Sequence, residues 1–176
     1  IGASTLAFAA EIGLDQIPLH QASCGWKKIG INKSVDGHPL KLGGQIYGHG
    51  LGTHAESQID LQLDKSATSF EAVVGLDDES GTKGSVEFVV MSGEKRLWSS
   101  GVMTRQSPPQ KVKVDLAGLE TLTLLVLDGG DGIDYDHADW GDAKIVYAGK
   151  VPQERIFEVP AAEILTPAES PLPRIN

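Results

Sequence analysis

Ser57-Gln58-Ile59-Asp60-Leu61-Gln62-Leu63-Asp64 alternates without a break, with Ile59, Leu61 and Leu63 in one row and Gln58, Asp60, Gln62 and Asp64 in the other. Successive side chains of an extended chain point to opposite faces, so this spacing predicts a strand with one apolar and one wet face. A sheet built from such strands must bury its apolar face against a second layer. Downstream, Phe70, Ala72, Val74 and Leu76 form the next inward row, which stops at the carboxylate-dense turn Asp77-Asp78-Glu79-Ser80-Gly81. Val86, Phe88 and Val90, with Val89 and Met91 between and after them, are apolar on both faces and predict an interior strand. Ser92-Gly93-Glu94-Lys95 reads as a hairpin turn, and Val112, Val114 and Leu116, then Leu122 to Leu127, then Ala143 to Ala148 follow as further strands.

Upstream, Leu40 to Tyr47 folds about a Gly43-Gly44 turn, and Gly25 to Asn32 reads as a strand. Trp26 and Trp98 both fall inside such runs and are expected in the core. Glu11 to Gln21 carries Pro18 and is expected at a sheet edge. Strand-like runs recur about every ten residues, and no apolar stripe keeps helical spacing over three turns. The fold class is therefore all-β, an antiparallel β-sandwich of jelly-roll type.

A chain of 176 residues supports one domain with tails. Lys and Arg number 15 against 24 Asp and Glu, and a net charge of -9 argues against a phosphate-backbone partner such as nucleic acid. No apolar run approaches the roughly 20 residues of a membrane-spanning helix, so no membrane insertion is expected. Cys24 is alone, which excludes an internal disulfide and a cysteine metal cluster. Residues 1–10 contain Ala7-Phe8-Ala9, a signal-peptidase pattern, and are read as a signal-peptide remnant of an exported protein. Residues 11–149 are the sandwich. In residues 150–176 the composition shifts to Pro152, Pro160, Pro167, Pro171 and Pro173, which reads as an extended, semi-rigid linker.

Two stretches carry chemistry. Gly48 to Ala55 sets three glycines beside His49 and His54, immediately before the strand at Ser57. Asp128 to Asp142 crowds Asp128, Asp131, Asp134, Asp136, Asp139 and Asp142 with His137, Tyr135 and Trp140. Three chemistries fit the second stretch. Hard oxygen donors on a glycine-containing loop suit Ca²⁺, although the spacing is not that of an EF-hand. Tyr135 and Trp140 as flat faces, beside Asp136, His137 and His54 as polar groups, suit a sugar. Paired carboxylates suit glycoside hydrolysis, but G-x-S-x-G, H-E-x-x-H and P-loop motifs are all missing, and the chain is expected to be non-catalytic.

Gly50-Leu51-Gly52-Thr53-His54-Ala55, Val74-Gly75-Leu76-Asp77-Asp78-Glu79, Gly84-Ser85-Val86-Glu87-Phe88, Ser100-Gly101-Val102-Met103 and Asp136-His137-Ala138-Asp139-Trp140 occur in that order. Together they resemble the NPCBM family, grouped with family 51 carbohydrate-binding modules, over roughly Gln21 to Ala148. The resemblance implies a galactose-binding-domain-like sandwich, often holding calcium, that binds glycans with a terminal galactose-type sugar and is covalently joined to a secreted bacterial glycoside hydrolase. Carried over, it implies a sugar site of His54, Tyr135, Asp136, His137 and Trp140, and a structural Ca²⁺ held by Asp77, Asp78, Asp139 and Asp142. Ile164 to Asn176 resembles the linker into the catalytic barrel of family 27 α-galactosidases. The alternative role is a structural or interaction domain that packs on the catalytic domain without binding sugar.

Overall fold

The computed structural model describes residues 8–158. Most of the signal-peptide remnant read at residues 1–10, and the part of the proposed linker from residue 159 onward, lie outside the described residues.

Two antiparallel sheets face each other. One contains β2 (Gly30–Ile31), β5 (Gly50–His54), β7 (Ala67–Leu76), β10 (Gln110–Asp115) and β12 (His137–Tyr147) in the spatial order β10-β7-β12-β5-β2, and β1 (Ala10–Gly13) also pairs with β12. The other contains β6 (Ser57–Gln62), β8 (Ser85–Ser92), β9 (Lys95–Thr104), β11 (Thr121–Asp128) and β13 (Gln153–Glu154) in the order β13-β6-β11-β8-β9. A separate hairpin, β3 (Leu40–Leu42) and β4 (Gln45–Tyr47), turns at Gly43 and Gly44, whose φ values of 56° and 87° are those of a left-handed two-residue turn. The sandwich expected from the alternation is the fold observed. Ile59 and Leu61 pair across the ladder with Leu124 and Leu122, and all four are buried in one core.

Trp140 is the largest side chain of that core. Its ring meets Phe70 of its own sheet at 5.9 Å and Phe88 of the opposite sheet at 5.0 Å, both edge-on, which ties the two layers together. At 1% exposure it offers no face to a ligand, so the sugar-stacking role expected of Trp140 is corrected to a core role. Trp26 is corrected in the opposite sense. The predicted strand Gly25 to Asn32 shortens to Gly30–Ile31, and Trp26 stands in the preceding loop, 42% exposed. Trp98 is half-buried and packs against the core as expected.

The stretch read as one long loop is half strand. β12 runs for 11 residues from His137, hydrogen-bonded to β5 on one side and β7 on the other. Two-residue periodicity sends Ala138 and Trp140 inward, and sends His137, Asp139 and Gly141 to the outer face. That outer face is not wet: residues 30–49 fold over it. Tyr47 lies on Gly141, where a methyl group would stand 2.9 Å from its ring, and Lys33 and Ser34 lie on Gly52 at 2.4–2.5 Å. Gln153 and Glu154, expected in the linker, instead form β13 on the edge of the second sheet.

Candidate functional site: a ring pocket over a buried carboxylate pair

His54 ends β5 and His137 begins β12, and the two are direct partners in the ladder. Their side chains emerge side by side on the outer face, with ring centroids 5.4 Å apart. Trp26 closes a triangle with them, at 5.6 Å from His54 and 5.5 Å from His137. The loop that carries Trp26 is seated by Gly25, whose N–H donates to the His54 carbonyl and whose Cα presses so closely on Ala55 that a methyl group there would stand 2.0 Å from the Ala55 oxygen. Only glycine fits this approach. The Lys27 ammonium stands 4.1 Å over the Trp26 ring and is held by Asp36 at 2.5 Å, fixing the indole by a cation–π contact.

The second wall is the loop before β12. Ile133, Asp134 and Tyr135 join the three rings around an open pocket of about 360 Å³. Tyr135 is half-exposed, and its ring rests on Gly81, where any Cβ would collide at 2.5 Å. The loop is braced from inside: the Asp128 carboxylate accepts the N–H groups of Gly130, Asp131 and Gly132, and the Ser85 hydroxyl donates to Asp131. Asp136 belongs to this bracing and not to the pocket. It is fully buried on the inward side, accepting the Ser85 N–H at 2.9 Å, so its expected sugar contact is corrected to a loop anchor. Burial, and then the nearby Asp128, Asp131 and Asp134, push its carboxyl up to about 7, against the Ser85 hydrogen bond.

The imidazoles are oriented from behind. His54 Nδ1 lies 2.8 Å from the Ala55 carbonyl and must be the protonated nitrogen, which leaves Nε2 as the free acceptor when the ring is neutral. Burial holds the His54 pKa below its ordinary value, favouring that neutral form. His137 Nδ1 faces Glu79 at 3.3 Å and Asp36 at 3.7 Å, which directs its Nε2 likewise. Glu79 is held in turn by His38 at 2.5 Å; burial opposes its charge, but hydrogen bonds from Ser34, His38 and His137 bring its pKa below the usual carboxylate value. Asp36, Glu79 and His137 offer ligand atoms within 4.8 Å of one another, a group that could hold a metal ion.

The four carboxylates expected at one metal separate into three places. Asp77 and Asp139 meet under the hairpin β3–β4, both buried. Asp77 accepts the N–H groups of Lys41 and Glu79, whereas neither oxygen of Asp139 has a hydrogen-bond partner. Burial first, and Asp77 next, hold the Asp139 pKa well above the carboxylate range. Asp78 is already spent on the N–H groups of Gly43 and Gly44 and on Arg105 at 3.2 Å. Asp142 sits on the bulge of β12 beside Glu11, Asp15, His49 and Lys144. Asp78 and Asp142 therefore leave the expected metal set.

Of the sequence-derived sugar residues, the structure brings together His54, Tyr135 and His137. It adds Trp26, Ile133 and Asp134, with Asp36 and Glu79 behind the rings. Asp36 lies in a turn that reads only as a turn, and no spacing in the sequence announces that it folds back onto His137.

Comparison with known proteins identifies the domain type. CBM51 from Clostridium perfringens GH95, solved in complex with methyl-galactose, is 38% identical and superposes with a TM-score of 0.72, covering 77% of this chain and 99% of that one. The structure of the M60 catalytic domain with the CBM51-1 and CBM51-2 domains from Clostridium perfringens ZmpB is 32% identical at a TM-score of 0.72, covering 79% of this chain and 15% of that one. Among curated proteins, alpha-1,3-galactosidase B of Akkermansia muciniphila is 41% identical over 116 residues, which are 64% of this chain and 14% of that enzyme. The chain thus spans a small part of the curated relatives it matches. A family model described as the NPCBM/NEW2 domain matches residues 10–146. With that model covering most of its length, the chain belongs to the NPCBM/NEW2 domain family.

Proposed function

We propose that the pocket between Trp26, His54, His137 and Tyr135 binds a terminal galactose-type sugar, and that the module thereby holds an attached glycoside hydrolase on its glycan. The observation that carries this reading is the triangle of rings. It offers an exposed, fixed apolar indole for the C–H face of a pyranose and two imidazoles with their outer nitrogens free for hydroxyls. The 38% identical relative solved with methyl-galactose supports the choice of sugar. Three or four such contacts give weak monovalent binding, which suffices when a tether keeps the enzyme near its substrate.

The parent enzyme in this reading is a secreted bacterial hydrolase of the α-galactosidase kind, with the segment after β13 leading toward its catalytic domain; the resemblance of Ile164 to Asn176 to a family 27 linker is the support. A structural Ca²⁺ is assigned to Asp77 and Asp139, because Asp139 is a buried carboxylate with neither oxygen partnered and Asp77 is a second buried carboxylate beside it, hard oxygen donors of the kind such a cation needs. Bound there, the ion would neutralise the pair and clamp the hairpin to β12. The competing role, packing on a neighbouring domain, draws support from Ile156 and Phe157, which stay exposed while Gln21 holds the Phe157 backbone through two hydrogen bonds.

Calorimetric titration of the 176-residue chain with methyl galactoside separates the two. The sugar reading expects millimolar or tighter binding that Trp26→Ala abolishes without changing the far-ultraviolet spectrum. No heat with the unaltered chain, with or without Ca²⁺, would leave the packing role standing.

A further inference from the structure

The ring pocket has a neighbour. On the other side of Asp134, the loop Thr82 to Ser85, the end of β9 and the Asp131–Asp134 segment enclose a second basin of about 400 Å³. Asp134, which is exposed, lines both cavities and so forms part of a wall they share. Their linings differ in kind. The first is walled by rings. The second is walled by Thr82, Lys83, Thr104, Gln106 and Asp131, with no aromatic residue.

Two features make the basin more than a dent in the surface. Its wall is rigid: the Asp128 carboxylate gathers three N–H groups of the loop, the Ser85 hydroxyl donates to Asp131, and Gly129 lies so close to Ser85 that a Cβ would stand 2.3 Å from its hydroxyl. Its other polar groups are unspent. Among the described residues, the side chains of Thr82, Lys83, Gln106 and Asp134 make no hydrogen bond or ion pair, although they line one concavity. Donors and acceptors are mixed: Lys83 donates only, Asp134 accepts only, and Gln106 and the threonines do both. One cation against two carboxylates, one of them already held by Ser85, disfavours an anion, and the mix of donors and acceptors suits the hydroxyls of a neutral sugar.

We propose that the two cavities form one two-unit cleft, in which the ring pocket takes the terminal sugar and the basin of Lys83, Thr104 and Gln106 takes the next neutral sugar of the same glycan. This rests on the ring pocket being the sugar site. The ligand is then an oligosaccharide and not a free monosaccharide, and the linkage passes over Asp134. One or two additional hydrogen bonds in a preformed site correspond to about a tenfold gain for the disaccharide.

The test is a calorimetric comparison of methyl β-galactoside, Galβ1,4Glc and Galα1,3Gal on the 176-residue chain and on its Lys83→Ala/Gln106→Ala double variant. Both substituted residues are exposed, so the fold is kept. At least one disaccharide should bind about tenfold tighter than the monosaccharide. The double variant should lose that gain while its affinity for methyl β-galactoside stays within about twofold. Disaccharides that bind no tighter than the monosaccharide, or a gain that survives the double substitution, overturn the second subsite and leave the first intact. If methyl β-galactoside affinity is indifferent to Trp26→Ala, the ring pocket itself is wrong and the cleft falls with it.

Discussion

The two faces of β12 are both buried, yet they are buried in different ways. Inward, Ala138, Trp140, Ala143 and Ile145 meet the opposite sheet in a dry core. Outward, Asp139 lies between Gly52 and Gly75 of the flanking strands and is covered by the irregular segment 30–49, while His137 pairs with His54. A regular sheet fills space with apolar side chains and satisfies its own backbone. An irregular cover laid on glycines leaves an open pocket and, at Asp139, a buried carboxylate with neither oxygen partnered. Burial on the inner face stabilises the fold; burial on the outer face costs stability and positions chemistry.

The hardest test of that contrast is Trp140→Ala. Removing a fully buried indole that joins two layers should cost about 3–5 kcal/mol, or roughly 6–20 °C in melting temperature for a domain of this size. Trp26→Ala, on the outer side, should move the melting temperature by less than about 2 °C, the effect of a surface substitution. Calorimetric melts of the two variants check both numbers; similar losses would erase the distinction between the faces.

Asp136 extends the comparison to pH, since it is a carboxyl that strayed onto the inner side. Its folded pKa of about 7 lies above the ordinary value of 3.8, so the folded chain keeps a proton that the unfolded chain has released. Stability from this group is therefore fullest below pH 4, falls by up to about 1.4 kcal/mol per pH unit on the way to pH 7, and is level above that. Asp139, also raised, adds in the same direction. Melts in chelator from pH 4 to pH 8 should show the decline, and Asp136→Asn should flatten part of it. A curve that rises over this range would mean that both carboxylates are ionised and paired in the folded chain.

Calcium sharpens the outer face. Without a cation, burial and the neighbouring Asp77 disfavour the charged form of Asp139, and a bound Ca²⁺ would favour it. At a hundredfold excess over its dissociation constant the ion should stabilise the chain by about 2.7 kcal/mol. Asp139→Asn should lose that gain yet melt no lower than the unaltered chain in chelator, because the amide carries no charge for burial and Asp77 to oppose. Identical calcium responses from both proteins would place the ion at Asp36, Glu79 and His137 instead.

Why the two tryptophans exchange roles between sequence and structure follows from the same strand. The alternation at Ser57 to Asp64 is legible because its phase never breaks, and the sandwich follows from a dozen such runs. β12 does break phase. Trp140 is in register with Ala138, but a bulge between Gly141 and Lys144 shifts the row before Ala143 and Ile145, so Trp140 reads as out of step with the strand it belongs to. The signal that was available is Gly141-Asp142, where Asp142 takes a φ of 46°. Trp26 has the opposite history. Its neighbours spell a strand, but only Gly30 and Ile31 find a partner, and the close approach of Gly25 to Ala55 is a tertiary fact with no local signature. His54 and His137 are brought into one expected site by their chemistry and by the family resemblance, but their direct pairing is not legible, since 83 positions separate them and only the β5–β12 register sets them side by side.

The smallest effect is also the most diagnostic of how the outer face works. His54 is buried, its pKa lies below the ordinary histidine value, and its Nδ1 proton is committed to the Ala55 carbonyl. Its Nε2 is thus an acceptor at every pH at which the ring is neutral. Sugar affinity should change by less than about twofold between pH 8 and pH 6.5. It should fall only at lower pH, where a proton on Nε2 turns the acceptor into a donor and places a charge beside His137. His54→Gln, which cannot be protonated, should bind more weakly but without the acid decline. A titration series that already weakens from pH 8 to pH 7 would mean that the ring meeting the sugar is not the one held neutral by burial, and would move the hydroxyl contact from His54 to His137.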